Sequence, residues 1–145
     1  MDVFRIFDCF NIVESMLVSI NAVLKANKVA EVCICYTGNV LTSKVYNLEY
    51  YKELAKEIKG TGAHILGVKD MAGLLRPLEV APLMKVLREA VGDMPIHFHT
   101  HATSSGYVFQ IIYPFVTSYA KVHSLLVWRC PGVDVILLTL RLHQW

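Results

Sequence analysis

The chain has 145 residues, which is within the size of one domain able to bury its own core. Hydrophobic residues make up 54% and charged residues 18% of the chain, on the apolar side of ordinary globular composition. The net charge is +2 and the lysines are scattered, so the chain has no basic stripe and nucleic acid is not an expected partner.

The cysteines and the apolar runs predict an intracellular protein. Cys33 and Cys35 would point the same way on one strand, where a disulfide is geometrically poor, and no second pair supports a zinc motif. We interpret these two, with Cys9 and Cys130, as reduced thiols that are mostly buried. We see no signal peptide at Met1, and no apolar run reaches the roughly 18 residues of a membrane helix, so no membrane is expected.

The first half of the chain predicts a strand, a helix and a second strand. Residues 3–7 are apolar apart from Arg5 and form a short strand. Residues 11–25 carry apolar side chains at the 3.6-residue period of a helix. Residues 31–36 are rich in β-branched and aromatic side chains, which is typical of a strand, and a loop follows to about residue 46.

The next segments continue the alternation. Residues 48–58 form an amphipathic helix that Gly60 ends, and residues 64–68 form a third strand. Pro77 opens a third helix that ends at Gly92, and residues 96–100 form a fourth strand. Four strands with three intervening helices predict an α/β parallel sheet. This pattern fits a small doubly wound sheet and a piece of a (β/α)₈ barrel equally.

Three histidines alternate along the fourth strand. His97, His99 and His101 would share one face, because successive strand side chains point to opposite faces. Two imidazoles spaced this way can both reach one ion at roughly 2.0–2.1 Å. Lys69 and Asp70 follow the third strand, where sites of parallel sheets lie. The alternatives are a merely polar strand face and a Lys69–Asp70 pair that closes a strand.

Two motifs carry a family resemblance. The segments 69–75 (Lys-Asp-Met-Ala-Gly-Leu-Leu) and 97–101 (His-Phe-His-Thr-His) resemble the carboxyltransferase domain of pyruvate carboxylase. Oxaloacetate decarboxylase alpha chains and the transcarboxylase large subunit are close relatives of that domain. The likeness extends upstream through residues 1–8 and 36–38 and covers residues 1 to about 106, with the motifs in order.

The resemblance implies a fold and a site. The fold is a partial (β/α)₈ TIM barrel of about four strands, since a complete barrel takes about 250 residues. Lys69, once carbamylated, would bind a divalent metal (Zn, Mn or Co) with His99 and His101, and Lys69 would be the catalytic residue. His97 is not among the family's ligands.

The resemblance also implies the reaction and its partners. Carboxybiotin, visiting on a separate domain, would carboxylate pyruvate to oxaloacetate through a metal-stabilised enolate. The family forms homo-oligomers and is found in the cytoplasm or the mitochondrial matrix.

Several parts of the family pattern do not occur in this sequence. The Asp-Gly-x-His-Gln motif with the remaining metal ligand is absent, as is the proton-relay threonine, and Thr103 is not its equivalent. No biotin-attachment motif and no ATP-grasp domain are present. The sequence therefore leaves open whether the chain is active.

The resemblance ends near Gly106. Residues 107–145 form a divergent hydrophobic tail that lacks helical or alternating periodicity over most of its length and is too apolar for a solvated linker. We interpret the tail as a product of altered translation, with a genuine divergent segment as the alternative.

Two kinds of function remain. The first is a fragment of a biotin-dependent pyruvate carboxylase, inactive alone. The second is a non-catalytic remnant or interaction fragment; an oxaloacetate decarboxylase alpha-type chain is a further alternative. Half a barrel would leave the first and fourth strands each with an unpaired side, so we expect self-association.

Overall fold

A computed structural model describes residues 1–101 in full and the backbone of two later strands. In chain order the elements are β1 (Val3–Phe7), α1 (Val13–Lys25), β2 (Val29–Cys35), α2 (Leu48–Gly60), β3 (Ile65–Asp70), α3 (Pro77–Val91), β4 (Ile96–His101), β5 (Val122–Arg129) and β6 (Val135–Leu142). The predicted alternation of four strands and three helices is confirmed. The strand ends differ from the prediction by one or two residues, and β3 continues through Lys69 and Asp70 instead of stopping before them.

The first four strands form a parallel sheet in sequential order. β1 pairs with β2, β2 with β3 and β3 with β4, all parallel. A doubly wound sheet reverses its strand order at a switch point, whereas a barrel adds each strand beside the previous one. The observed order therefore matches a segment of a (β/α)₈ barrel.

The hydrophobic core lies between this sheet and the three helices. Each helix contributes fully buried side chains, among them Ile20 from α1, Ile58 from α2 and Leu83 from α3. They pack on alternate strand residues, including Leu66 and Phe98, so all three helices cover the same face of the sheet. The other side chains of the strands are left to build the opposite face.

The expectation that β4 has an unpaired side is wrong. β6 pairs with β4 antiparallel, with His97 opposite Thr139 and His101 opposite Val135, and β5 pairs with β6. Residues 135–142 are mostly apolar and alternate with polar residues only from Leu138 to Leu142, and such a segment forms a strand when a free edge satisfies its backbone groups. The weak periodicity of the tail therefore did not exclude a strand there.

β1 remains an edge strand, as predicted. It is the terminal strand of the six-stranded sheet, whose order is β1-β2-β3-β4-β6-β5. Along its length Val3 and Phe7 each keep 47% of their surface exposed. In the part of the chain that the structure describes, no helix is long and apolar enough to cross a membrane.

Candidate functional site

The alternating histidines share one face of β4, as predicted. Ile96, Phe98 and Thr100 are buried toward the helices, and the three histidines between them are half-buried on the opposite side. We call that side the site face. It also carries Arg5 from β1, Glu31, Cys33 and Cys35 from β2, and Gly67 and Lys69 from β3.

Lys69 and His99 are adjacent across the β3–β4 ladder. Their Cα atoms are direct partners, and Cys35 is the partner of Lys69 on the other side. Lys69 is 9% exposed, and its Nζ lies 3.6 Å from the centroid of the Phe7 ring. The register thus places this lysine beside the histidine strand, while its ammonium group lies over an aromatic ring on β1.

His99 and His101 meet at their outer ring nitrogens. The two Nε2 atoms are 3.0 Å apart and the ring centroids 5.0 Å apart. Two nitrogens bound to one zinc ion at tetrahedral to right-angle geometry lie about 2.9–3.4 Å apart. The observed separation fits a shared ion, and it also fits a hydrogen bond between one ring that donates and one that accepts.

His99 is held in the neutral form. Burial, followed by the positive charges of Arg5 and Lys69, lowers the pKa of His99 from 6.5 to about 4. A neutral imidazole is the form that binds metals.

Asp70 does not pair with Lys69, because the two side chains point to opposite faces of β3. The Asp70 carboxylate is fully buried and accepts hydrogen bonds from the backbone N–H groups of Leu74 and Leu75 at 2.8 and 3.0 Å. It also accepts from the Thr100 hydroxyl at 3.3 Å. Asp70 therefore fixes the turn after β3 and ties it to β4, so the interpretation of a Lys69–Asp70 pair is wrong.

A buried ion-pair network on the site face was missed by the sequence reasoning. The Glu31 carboxylate accepts from Arg5 Nε at 2.9 Å and faces His97 Nδ1 at 2.9 Å. Burial raises the pKa of Glu31, but the contacts with His97 and Arg5 outweigh it and leave that pKa below its ordinary value. The one signal in the sequence was a glutamate inside an otherwise apolar strand, because buried carboxylates are almost always paired.

Gly67 makes room for this network. It lies on β3 between Cys33 on β2 and His97 on β4. A Cβ atom built on Gly67 would collide with Cys33 Sγ and approach Glu31 Oε1 to 3.1 Å. Only a residue without a side chain lets Glu31 reach across β3 to His97.

A cleft lies at the carboxyl ends of β1, β2 and β3. It has a volume of about 410 Å³, and its lining includes Asn11, Cys35, Thr37, Tyr46 and Met71. Cys35 is also the strand neighbour of Lys69, so the cleft opens beside the predicted site. Barrel enzymes bind their substrates at this end of the strands.

The residues of the site face offer a divalent ion only part of a complete set of ligands. Within residues 1–101, no three His, Cys, Asp or Glu side chains gather so as to hold an ion. His99 and His101 supply two imidazole nitrogens, and a third ligand depends on Lys69. An ammonium group has no lone pair to donate, so Lys69 fits only after carbamylation.

Comparisons with known proteins agree with this fold. No family model matches the chain. The chain is 50% identical over 112 residues to the pyruvate carboxylase of Bacillus subtilis, a match that covers 76% of this chain and 10% of that protein. It is 47% identical over 114 residues to the mitochondrial pyruvate carboxylase of Rattus norvegicus, covering 77% and 10%.

The solved structures indicate which domain is matched. The carboxyl transferase domain of Rhizobium etli pyruvate carboxylase superimposes with a TM-score of 0.77 at 51% identity, covering 81% of this chain and 20% of that one. Another structure of that domain, which matches equally well, contains pyruvate and biocytin.

The fold and the matched residues thus define a segment of a carboxyltransferase barrel. The chain matches part of the carboxyltransferase domain of pyruvate carboxylases. It spans about a tenth of the length of the relatives it matches.

Proposed function

We propose that the site face carries part of the metal site of a pyruvate carboxyltransferase, with Lys69, His99 and His101 as the ligands. The observation that supports this most directly is the 3.0 Å approach of the two Nε2 atoms. Strand register then brings the backbone of Lys69 beside that of His99. Imidazole and oxygen donors suit Zn²⁺, Mn²⁺ or Co²⁺ without choosing among them.

Lys69 would contribute as a carbamate. Carbamylation replaces a cation by an anionic oxygen donor, and it requires the neutral amine as nucleophile. In the present arrangement Lys69 Nζ makes a cation–π contact with the Phe7 ring, 3.6 Å from its centroid. Lys69 must therefore leave Phe7 when it is modified.

The reaction proposed for the whole protein is carboxyl transfer from carboxybiotin to pyruvate. A bound divalent ion would supply Lewis-acid stabilisation of the negative charge that develops on the pyruvate oxygen. Among the chain's own residues, Arg5 contacts His99 and helps to position it. The cleft beside Cys35 offers room for a small acid such as pyruvate. Pyruvate and biocytin are ligands of the Rhizobium relative, and we extend pyruvate and carboxybiotin to the protein to which this segment corresponds.

A non-catalytic role is the second candidate, and the β4–β6 ladder favours it. Every strand of a (β/α)₈ barrel is parallel to its neighbours, so the next strand beside β4 would be parallel. Here that edge is occupied by an antiparallel strand. A chain that keeps this pairing cannot add the next parallel barrel strand at the same place.

Metal titration tests the proposed site. Calorimetric titration of the metal-free chain with Zn²⁺ should show one site, and binding should tighten in bicarbonate because bicarbonate supplies CO₂ for carbamylation. His99→Ala and His101→Ala should abolish binding, and Lys69→Gln should remove only the bicarbonate effect. His64→Gln is the matched control, since His64 accepts a hydrogen bond from the Ala30 backbone at the far end of β2. Equal Zn²⁺ affinity in all four variants would exclude the site.

A further inference from the structure

Sulfur-bearing side chains line the cleft at the carboxyl ends of β1, β2 and β3. The lining includes the thiols of Cys9 and Cys35 and the thioether of Met71. Within the described part of the chain, no carboxylate and no imidazole lines this cleft. The sulfur atoms are therefore the strongest metal ligands that the cleft offers.

Strand register brings these residues to one end of the sheet. Phe7 is the Cα partner of Cys33 in the parallel pairing of β1 with β2. Cys9 and Cys35 each follow this pair by two residues, so both lie at the carboxyl ends of neighbouring strands. Met71 directly follows β3, which is the neighbour of β2 on its other side. Three adjacent strands thus each deliver one sulfur-bearing residue to the cleft.

Hydrogen bonds hold the turn that carries Cys9 against the end of β2. The Asn11 side chain accepts from the backbone N–H of Cys35 at 2.7 Å and donates to the Cys35 carbonyl at 3.0 Å. Within the same turn, the Asp8 carboxylate accepts from two backbone N–H groups, each at 3.0 Å. The turn that carries Cys9 is thus fixed relative to the strand that carries Cys35.

The three residues differ in their exposure. Cys9 is exposed, Met71 is 40% exposed and Cys35 is only 4% exposed. An ion that enters from solvent meets Cys9 and Met71 first and Cys35 at the buried wall of the cleft.

We propose that Cys9, Cys35 and Met71 form a binding site for a soft metal ion, Cu(I). Thiolate and thioether ligands select Cu(I), whereas hard divalent ions prefer the carboxylate oxygens that this lining lacks. Binding replaces two S–H bonds by copper–sulfur bonds and releases the two protons to solvent, and the copper remains Cu(I) throughout. The ion would occupy the cleft in which the proposed function places pyruvate, and only this consequence rests on the proposed function.

Competition with bicinchoninate, a coloured Cu(I) chelator, measures the affinity of the full chain under anaerobic, reducing conditions. Wild-type protein should withdraw one Cu(I) ion per chain from the chelator. Loss of an outer partner of a metal ligand lowers affinity about 10–100-fold, so loss of a thiolate itself in Cys9→Ser or Cys35→Ser should lower it about a hundredfold or more. Met71→Leu keeps the size of the side chain and should lower the affinity about tenfold.

Cys33→Ala is the matched control. Cys33 is a buried thiol on the same strand as Cys35, but it lies outside the lining of the cleft. Its removal should leave the Cu(I) affinity unchanged. Wild-type affinity in Cys9→Ser would overturn the inference, and because Cys9 is exposed this variant decides even if Cys35→Ser fails to fold.

X-ray absorption at the copper edge identifies the ligands of the bound ion. Sulfur neighbours alone should be seen. Nitrogen neighbours that disappear in His99→Ala would place the ion at the histidine pair and refute the sulfur site. Zn²⁺ titration tests the proposed function separately, because it depends on His99 and His101 and not on the sulfur atoms of the cleft.

Discussion

Glu31 and His97 meet across an intervening strand: Oε1 of the β2 carboxylate lies 2.9 Å from Nδ1 of the β4 imidazole. Gly67 on β3 lies between them and has no side chain to block the contact. The pair links two strands that are not neighbours in the sheet. It supports the strand that carries the predicted histidine ligands.

Gly67→Ala should destabilise the chain. The added methyl group would collide with Cys33 Sγ and press on Glu31, and overpacking of this kind costs about 1–3 kcal/mol. Urea unfolding measures the change. Gly60→Ala is the control, because a Cβ there meets nothing within 4 Å and alanine should be neutral or stabilising. An unchanged midpoint for Gly67→Ala would show that Glu31 does not need the space above Gly67.

Glu31→Gln should weaken folding through the loss of its charge. Breaking a buried ion pair leaves the partner uncompensated, and we expect a loss of about 3 kcal/mol, the low end of the usual range. The low end applies because the Arg5 side chain is 28% exposed and water screens it in part. In contrast, Glu53→Gln removes an exposed partner of Lys56 and should have no measurable effect. Similar effects of the two substitutions would mean that the site-face network does not contribute to stability.

Acidification should reduce stability in the range set by His99. Its pKa falls from 6.5 in the unfolded chain to about 4 in the folded one, so the unfolded state binds the extra proton between these values. The contribution of His99 is complete above pH 6.5 and is lost as the pH falls toward 4. Glu31, whose folded pKa is also lowered, adds a further loss below its unfolded value of 4.5.

Urea unfolding at a series of pH values, with chelator present, measures this loss. His99→Gln should flatten the profile between pH 6.5 and 4 and leave the more acidic part unchanged. A wild-type profile that is flat in this range would contradict the burial of a neutral His99.

Isolated protein should not carboxylate pyruvate or decarboxylate oxaloacetate above the rate given by free divalent metal. The family resemblance implies an aspartate ligand and a proton-relay threonine that we do not recognise in the 145 residues, so we expect an incomplete ligand shell and proton path. A coupled assay of oxaloacetate formation or decay checks this. Turnover that Lys69→Ala abolishes would show that this chain suffices for catalysis.

Self-association should proceed through β1. This strand is the terminal strand of the described parallel segment, and Val3 and Phe7 on it are both 47% exposed. A lysine on an edge strand opposes pairing with another chain, so Val3→Lys should lower the weight-average mass in sedimentation. Val18→Lys is the control, because Val18 is 80% exposed on α1 and away from the edge. Equal effects of the two lysines would point to general hydrophobic association.

The order of strands and helices could be predicted from local patterns, because helices and strands each have a characteristic spacing of apolar residues within a short segment. The helix from Pro77 to Val91 is one example, and the common face of His97, His99 and His101 is another. That common face follows from strand geometry alone. The motifs around Lys69 and His99 predicted the family, which the comparisons confirm.

Tertiary structure decided the contacts between residues that are distant in sequence. Arg5, Glu31, Gly67 and His97 come from four different strands, and nothing local in the sequence joins them. The pairing of β6 with β4 is of the same kind, since a strand edge accepts any extended segment that reaches it. The contact between Arg5 and His99, residues 94 positions apart, is likewise a product of the tertiary structure.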